Sequence, residues 1–234
     1  ASAASVAPGA GGSKHPSSRN STEGTWVSEM DRVIARLRQE VGGLIATSSP
    51  TTKSICVVLG ASYLVNLTVP AAADIFALVP ERTLPCVWNV VTAGYYEMSL
   101  VGAAVDMLGV MYLGRLVEPI WGASELVHFV VVVNLCVGVC TFVTMYTLYI
   151  VTRSQFYLFA KFSGFHGILA ALMVALRQLL PEERVPLPPP LGAVLRVRNK
   201  HLPGLYCTGT AALCVVSGAE HHHIGLYLFV AFGA

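Results

Sequence analysis

From Trp26 onward, apolar residues recur at Trp26, Met30, Val33, Ile34, Leu37, Val41, Leu44 and Ile45. Spacings of three and four gather them on one stripe of a helix. The pattern predicts an amphipathic helix over residues 25–46, capped near Ser28-Glu29-Met30-Asp31, with Arg32, Arg36 and Arg38 on its polar side. Residues 1–24, rich in Ala, Ser and Gly, hold too few large apolar groups to offset the entropy of ordering and are expected to be disordered. After Lys53 the periodicity gives way to long apolar stretches broken by short charged or Pro-rich segments. With about 20 residues needed to cross a bilayer, these stretches predict spans at 54–72, 96–114, 126–150, 156–176, 203–219 and 223–234. The third is the clearest, because Leu126 to Thr152 contains no Asp, Glu, Lys or Arg. The last holds only twelve residues, so the chain is expected to continue past Ala234.

Composition agrees with lipid as the surrounding medium. The 234 residues are 54% hydrophobic and 12% charged, with a mean hydropathy of +0.63, far from a soluble domain with about 25% charged residues. A net charge of +2 without a basic stripe excludes a nucleic-acid footprint. With six spans, the N-terminal side carries twelve Lys and Arg, whereas the other side carries only Arg82 and Arg153. That asymmetry predicts a cytosolic N-terminus. None of the six cysteines forms a Cys-x-x-Cys pair; most fall inside apolar runs and read as unpaired buried thiols.

Charged groups at membrane depth cost free energy and need a reason to be there. Asp106 falls mid-way along the second span, with Gly102 and Gly109 on its face. Lys161 falls in the fourth, with Gly164, Gly167, Ala171 and Ala175 at helical spacing. A buried Asp106–Lys161 pair is the economical expectation, with snorkelling of Lys161 as its alternative. Coupled transport through the same two residues is a third, although no inverted repeat or broken helix accompanies them. The segment Gly114-Arg115-Leu116-Val117-Glu118-Pro119-Ile120-Trp121-Gly122 reads as a polar interruption between spans, its Arg and Glu pairing across a turn. Residues 177–202 form a basic, Pro-rich loop on the N-terminal side of the membrane. His221-His222-His223 reads as an interfacial run, and His166 as a residue satisfied by a neighbouring helix. No residue pattern implies a cofactor or a metal.

The 114–122 segment, an uncharged span after it, and Gly164-Phe165-His166-Gly167 opening the next together resemble a rhomboid-like membrane protein, and more narrowly the transmembrane protein 115 family. Val79-Pro80, Trp88 and Thr92 fit the segment between the first two spans. The resemblance covers residues 54–234 and implies an all-α, rhomboid-like bundle of six transmembrane helices. It also implies Golgi residence and a part in retrograde Golgi-to-ER traffic without proteolysis. Active rhomboids need a serine in a Gly-x-Ser-Gly turn, a histidine base on span six and polar oxyanion donors on span two. Here the serine position is His166, and the oxyanion Asn and His positions are Asp106 and Gly102. The alternative nucleophile, Ser163, follows Phe162 and Lys161 where a glycine should stand, and His222, three before Gly225, matches the base. A protease using Ser163 and His222 is therefore the rival reading. The expected partners are membrane lipid, membrane-protein cargo, and cytosolic trafficking machinery on the N-terminal helix, the 177–202 loop and a C-terminal tail; a homo-oligomer is left open.

Overall fold

The computed structural model describes residues 19–183, 198–216 and 221–234, without the side chains of residues 19–27, 29, 37, 221–223 and 225. Seven long helices carry the fold: α1 (Arg19–Thr47), α2 (Pro50–Thr68), α3 (Leu100–Trp121), α4 (Ala123–Thr152), α5 (His166–Leu179), α6 (Leu202–Val216) and α7 (His221–Gly233). One antiparallel β-bridge pairs Leu78 with Phe162. The N-terminal unit, up to Glu40, and the unit Val41–Ala234 are separate compact bodies. The N-terminal helix starts at Arg19, so Ser28 lies inside it and not at its cap. Residues 1–18 of the segment expected to be disordered lie outside the described residues.

Among the described residues two helices, α3 and α4, are long and apolar enough to cross a membrane, and α2 becomes a third if it is joined to Pro70–Phe76 across a 119° bend. The 14 residues of α5, 15 of α6 and 13 of α7 rise about 20 Å at 1.5 Å per residue, short of the roughly 30 Å hydrocarbon core. The fourth span therefore departs from the expected 156–176. After α4 ends in a left-handed Arg153, a single turn at Phe156–Phe159 is followed by non-helical backbone up to α5. Such backbone is tolerated at membrane depth only where protein satisfies it. Leu78 and Phe162 exchange N–H···O bonds of 2.8 and 2.9 Å, and Gly164 N–H donates to Ala93 O at 3.0 Å. The acceptors and donors come from residues 70–95, a run of one-turn helices between α2 and α3.

At the centre is α5, whose residues 167–172 are all buried, as are Ala175 and Leu176. A helix apolar on nearly every side belongs in an interior. Ile168, Leu169, Leu172 and Leu176 share one core with Leu59 of α2, Val110, Leu113 and Val117 of α3, and Leu126 and Val130 of α4. Small residues set the spacing. A methyl group on Gly109 would meet Leu169 Cδ1 at 2.5 Å, and one on Gly138 would meet Val90 O at 2.5 Å. On α4, by contrast, Val131, Val132, Leu135, Val139 and Val143 are exposed, the outward face expected of a helix in lipid. Cys136 and Cys140 are exposed too and Cys56 is buried; all six thiols are free, but burial does not describe them all.

The 114–122 segment is helical and not an interruption, because Pro119 sits in the last turn of α3 and the break falls at Gly122, with φ of +91°. Nor do Arg115 and Glu118 pair. Arg115 Nη1 donates to Thr47 Oγ1 at 3.2 Å. Glu118 Oε2 accepts from Thr52 Oγ1 at 3.1 Å and from Ser49 Oγ, while Ser49 also caps α2 by accepting from Thr52 N–H. Gly114 leaves room for Thr52, whose Oγ1 would lie 2.5 Å from any added methyl. Trp121 packs edge-on to Phe129 of α4, ring centroids 5.1 Å apart. The segment thus fastens the start of α2 to the end of α3.

Two substitutions test this packing. Gly138→Val drives a side chain into backbone, so thermal unfolding in detergent should show a loss of roughly 1–3 kcal/mol or more, whereas Gly43→Ala, whose methyl meets nothing within 4 Å, should show none. Glu118→Ala strands the Ser49 and Thr52 hydroxyls and should cost about 1–3 kcal/mol in the same measurement.

Candidate functional site

The chemistry-bearing groups converge where α5 begins. The N–H of Phe165, the residue that opens α5, donates to Glu97 Oε1 at 2.8 Å and to Asp106 Oδ2 at 3.0 Å. An N-terminus starting inside the protein leaves unsatisfied N–H groups and the positive end of the helix dipole, both of which favour carboxylates. The next residue, His166, places Nδ1 2.7 Å from Asp106 Oδ1. Asp106 is fully buried, Glu97 is 2% exposed, and the His166 side chain is 13% exposed. Glu97 is held in turn through its own N–H, which donates to Ser62 Oγ of α2 at 3.3 Å. Gly164 takes φ of +122° beside the cluster; a methyl there would meet His166 Cδ2 at 2.7 Å.

The expected partner of Asp106 is therefore corrected. Asp106 bonds His166, and Lys161 lies in the non-helical stretch before α5, where its Nζ is 2.5 Å from Asp74 Oδ1. That contact, with Arg82 nearby, holds the exposed Asp74 carboxyl below the usual carboxylate range. Lys161 is removed from the membrane-depth cluster because α5 starts five residues later than a continuous helix would allow. One ring nitrogen of His166, Nδ1, bonds a neighbouring helix. Glu97 went unnoticed in the sequence because it reads as a boundary residue at the start of a span; its spacing of nine from Asp106 matches no ligand motif.

A cavity of about 350 Å³ adjoins the cluster, lined by Gly102, Ser163, His166, Tyr206, Thr210 and Leu226 among others. Ser163 and His166 thus share one cavity. The face that α7 turns to it carries Leu226, one helical turn after His222. The glycine of α7 that packs on α5 is Gly233, whose added methyl would lie 1.9 Å from Gly167 O, and Gly167 in turn abuts Phe229 O. The side chain of His222, the expected base, lies outside the described residues, as do those of His221 and His223. Asn66, in a glycosylation sequon, is engaged inside the protein, its amide accepting from Tyr96 Oη at 3.0 Å and donating to Met98 O at 3.3 Å. Residues 184–197 of the basic loop lie outside the described residues; at its edges Glu182 bonds Lys200 and Arg198 at 3.1 and 2.8 Å.

Residues 53–234 match the family described as Eukaryotic integral membrane protein (DUF1751). Rhomboid-like protein 19 of Arabidopsis thaliana is 37% identical over 153 residues, 65% of this chain and 48% of that protein. Transmembrane protein 115 of Mus musculus is 32% identical over 155 residues, and that of Homo sapiens 31%, each covering 64% of this chain and 44% of the relative. The chain thus spans about half the length of the curated relatives it matches. With the family model matching most of its length, the chain belongs to the eukaryotic integral membrane protein family DUF1751, and it is similar to the rhomboid-like and transmembrane protein 115 relatives.

Proposed function

We propose that this protein is a non-enzymatic, rhomboid-like Golgi membrane protein acting in retrograde Golgi-to-ER vesicle-mediated transport. Its N-terminus faces the cytosol and its helical core recognises or retains membrane-protein cargo. The N-terminal helix, the 177–202 loop and a C-terminal tail offer surfaces to trafficking machinery. The observation that carries the loss of chemistry is the occupancy of the site. The position matching the rhomboid nucleophile holds His166, fixed through Nδ1 to Asp106, and an imidazole cannot take the place of an acylated hydroxyl.

One arrangement favours the rival. Ser163 lines the same cavity as His166, and Asp106 holds the imidazole by Nδ1, the relation of orienter to base in serine hydrolases. Electrostatics weighs against it. Acyl transfer builds an oxyanion that needs donors aimed at it, whereas Glu97 and Asp106 place two carboxyl groups there and already occupy the Phe165 N–H. Coupled transport through an Asp106–Lys161 pair loses its basis, since Lys161 bonds Asp74.

A fluorophosphonate probe on the full-length protein in detergent is expected to leave it unlabelled; labelling abolished by Ser163→Ala would establish the protease instead. Location is tested by imaging the tagged protein against Golgi markers, with protease accessibility at each terminus reporting the cytosolic N-terminus. In this reading Asp106 is a structural partner. Asp106→Leu, which strips both Phe165 N–H and His166 of an acceptor, should lower stability by about 3–5 kcal/mol, and Asp106→Asn by less because an amide oxygen can still accept.

A further inference from the structure

Capping α5 uses only part of the bonding capacity gathered around it. Glu97, Asp106 and His166 each bring one ligand atom within 4.8 Å of the others. Phe165 N–H engages Glu97 Oε1 and Asp106 Oδ2, and His166 Nδ1 engages Asp106 Oδ1. Beyond Phe165 and the adjacent Asp106 carboxyl, no described side chain or N–H bonds Glu97, and His166 Nε2 has no hydrogen-bond partner among the described residues. Both residues lie beside Gly102, which lines the hollow together with His166: a methyl group on Gly102 would lie 3.2 Å from Glu97 Oε2 and 3.4 Å from His166 Nε2. Among the described residues no Lys or Arg forms an ion pair with either carboxylate. Two carboxyls and one imidazole so enclosed favour a cation, because unpaired negative charge in a low-dielectric interior is expensive.

We propose that the hollow beside Gly102 is a divalent-metal site, with His166 Nε2 and Glu97 Oε2 as protein ligands and Asp106 orienting the imidazole through Nδ1. A metal-bound histidine ordinarily donates its other N–H to a carboxylate, and the Asp106–His166 bond has that form. One nitrogen and one carboxylate oxygen suit Zn²⁺ or Mn²⁺. Calcium needs six to eight oxygens, and soft metals select the thiolates that this cluster lacks. The remaining coordination positions open on the cavity lined by Ser163 and Tyr206, where hydroxyls or water complete them. The ion would join the segment before α3, α3 itself and the start of α5. Neither trafficking nor its absence bears on this site. It reverses the expectation of no metal drawn from the sequence.

The test uses the full chain purified in detergent with His221→Ala, His222→Ala and His223→Ala as background, which removes the other cluster of imidazoles. After stripping with EDTA, the protein is equilibrated with Zn²⁺ or with Mn²⁺ and desalted, and bound metal is counted by mass spectrometry. About one ion per chain is expected for Zn²⁺ or Mn²⁺. Binding should fall at least tenfold in Glu97→Gln and His166→Gln and persist in Asp74→Asn. The metal should raise the Tm of the background and not of those two variants. Glu97→Gln keeps an amide oxygen for Phe165 N–H, so it decides alone should His166→Gln fail to fold. A background protein that takes up neither metal, or equal uptake by folded Glu97→Gln, overturns the site. The first result would leave the hollow to a proton or to a basic side chain on a cargo helix.

Discussion

Everything at the centre of this protein follows from a helix that begins inside it. An α-helix starting at a membrane surface can leave its first N–H groups to water, but α5 starts among buried residues, and the chain feeding it is not helical. Its polar backbone must be satisfied by protein. The bridge between Leu78 and Phe162, the bond from Gly164 to Ala93, and the two carboxyls on Phe165 N–H supply this. Residues 70–95 are not a mere connection between spans, because they hold the partners that allow α5 to start where it does.

That geometry explains which parts of the architecture could be read in advance. Helical character, the small faces around Asp106 and Gly167, and the 126–150 span are properties of local composition, and they appear in the fold as anticipated. Span four was misplaced because hydropathy averages across Phe156–Ala160 and Phe162 without registering that the helical turn ends at Phe159 and the backbone stays non-helical up to α5. Lys161 went with it. Residues 114–122 were read as a loop because Pro and Gly usually mark one, but a proline in the last turn of a helix costs little when the next residues end it anyway.

At the candidate site, the family pattern located His166 and Asp106, which the fold brings to 2.7 Å across 60 residues of chain. It could not locate Glu97, whose role depends on a long-range contact, Phe165 N–H, that no sequence spacing encodes.

Gly122 links α3 to α4 alone, and Glu118 four residues earlier ties the end of α3 to the start of α2. Three helices therefore share a joint without slack and move as one piece. On the other side of the cavity, α6 buries only Pro203 and Thr210 among its described residues, with Leu205, Val215 and Val216 turned outward. Displacing α6 therefore disturbs few buried side chains, and a widening of the cavity toward lipid costs little there.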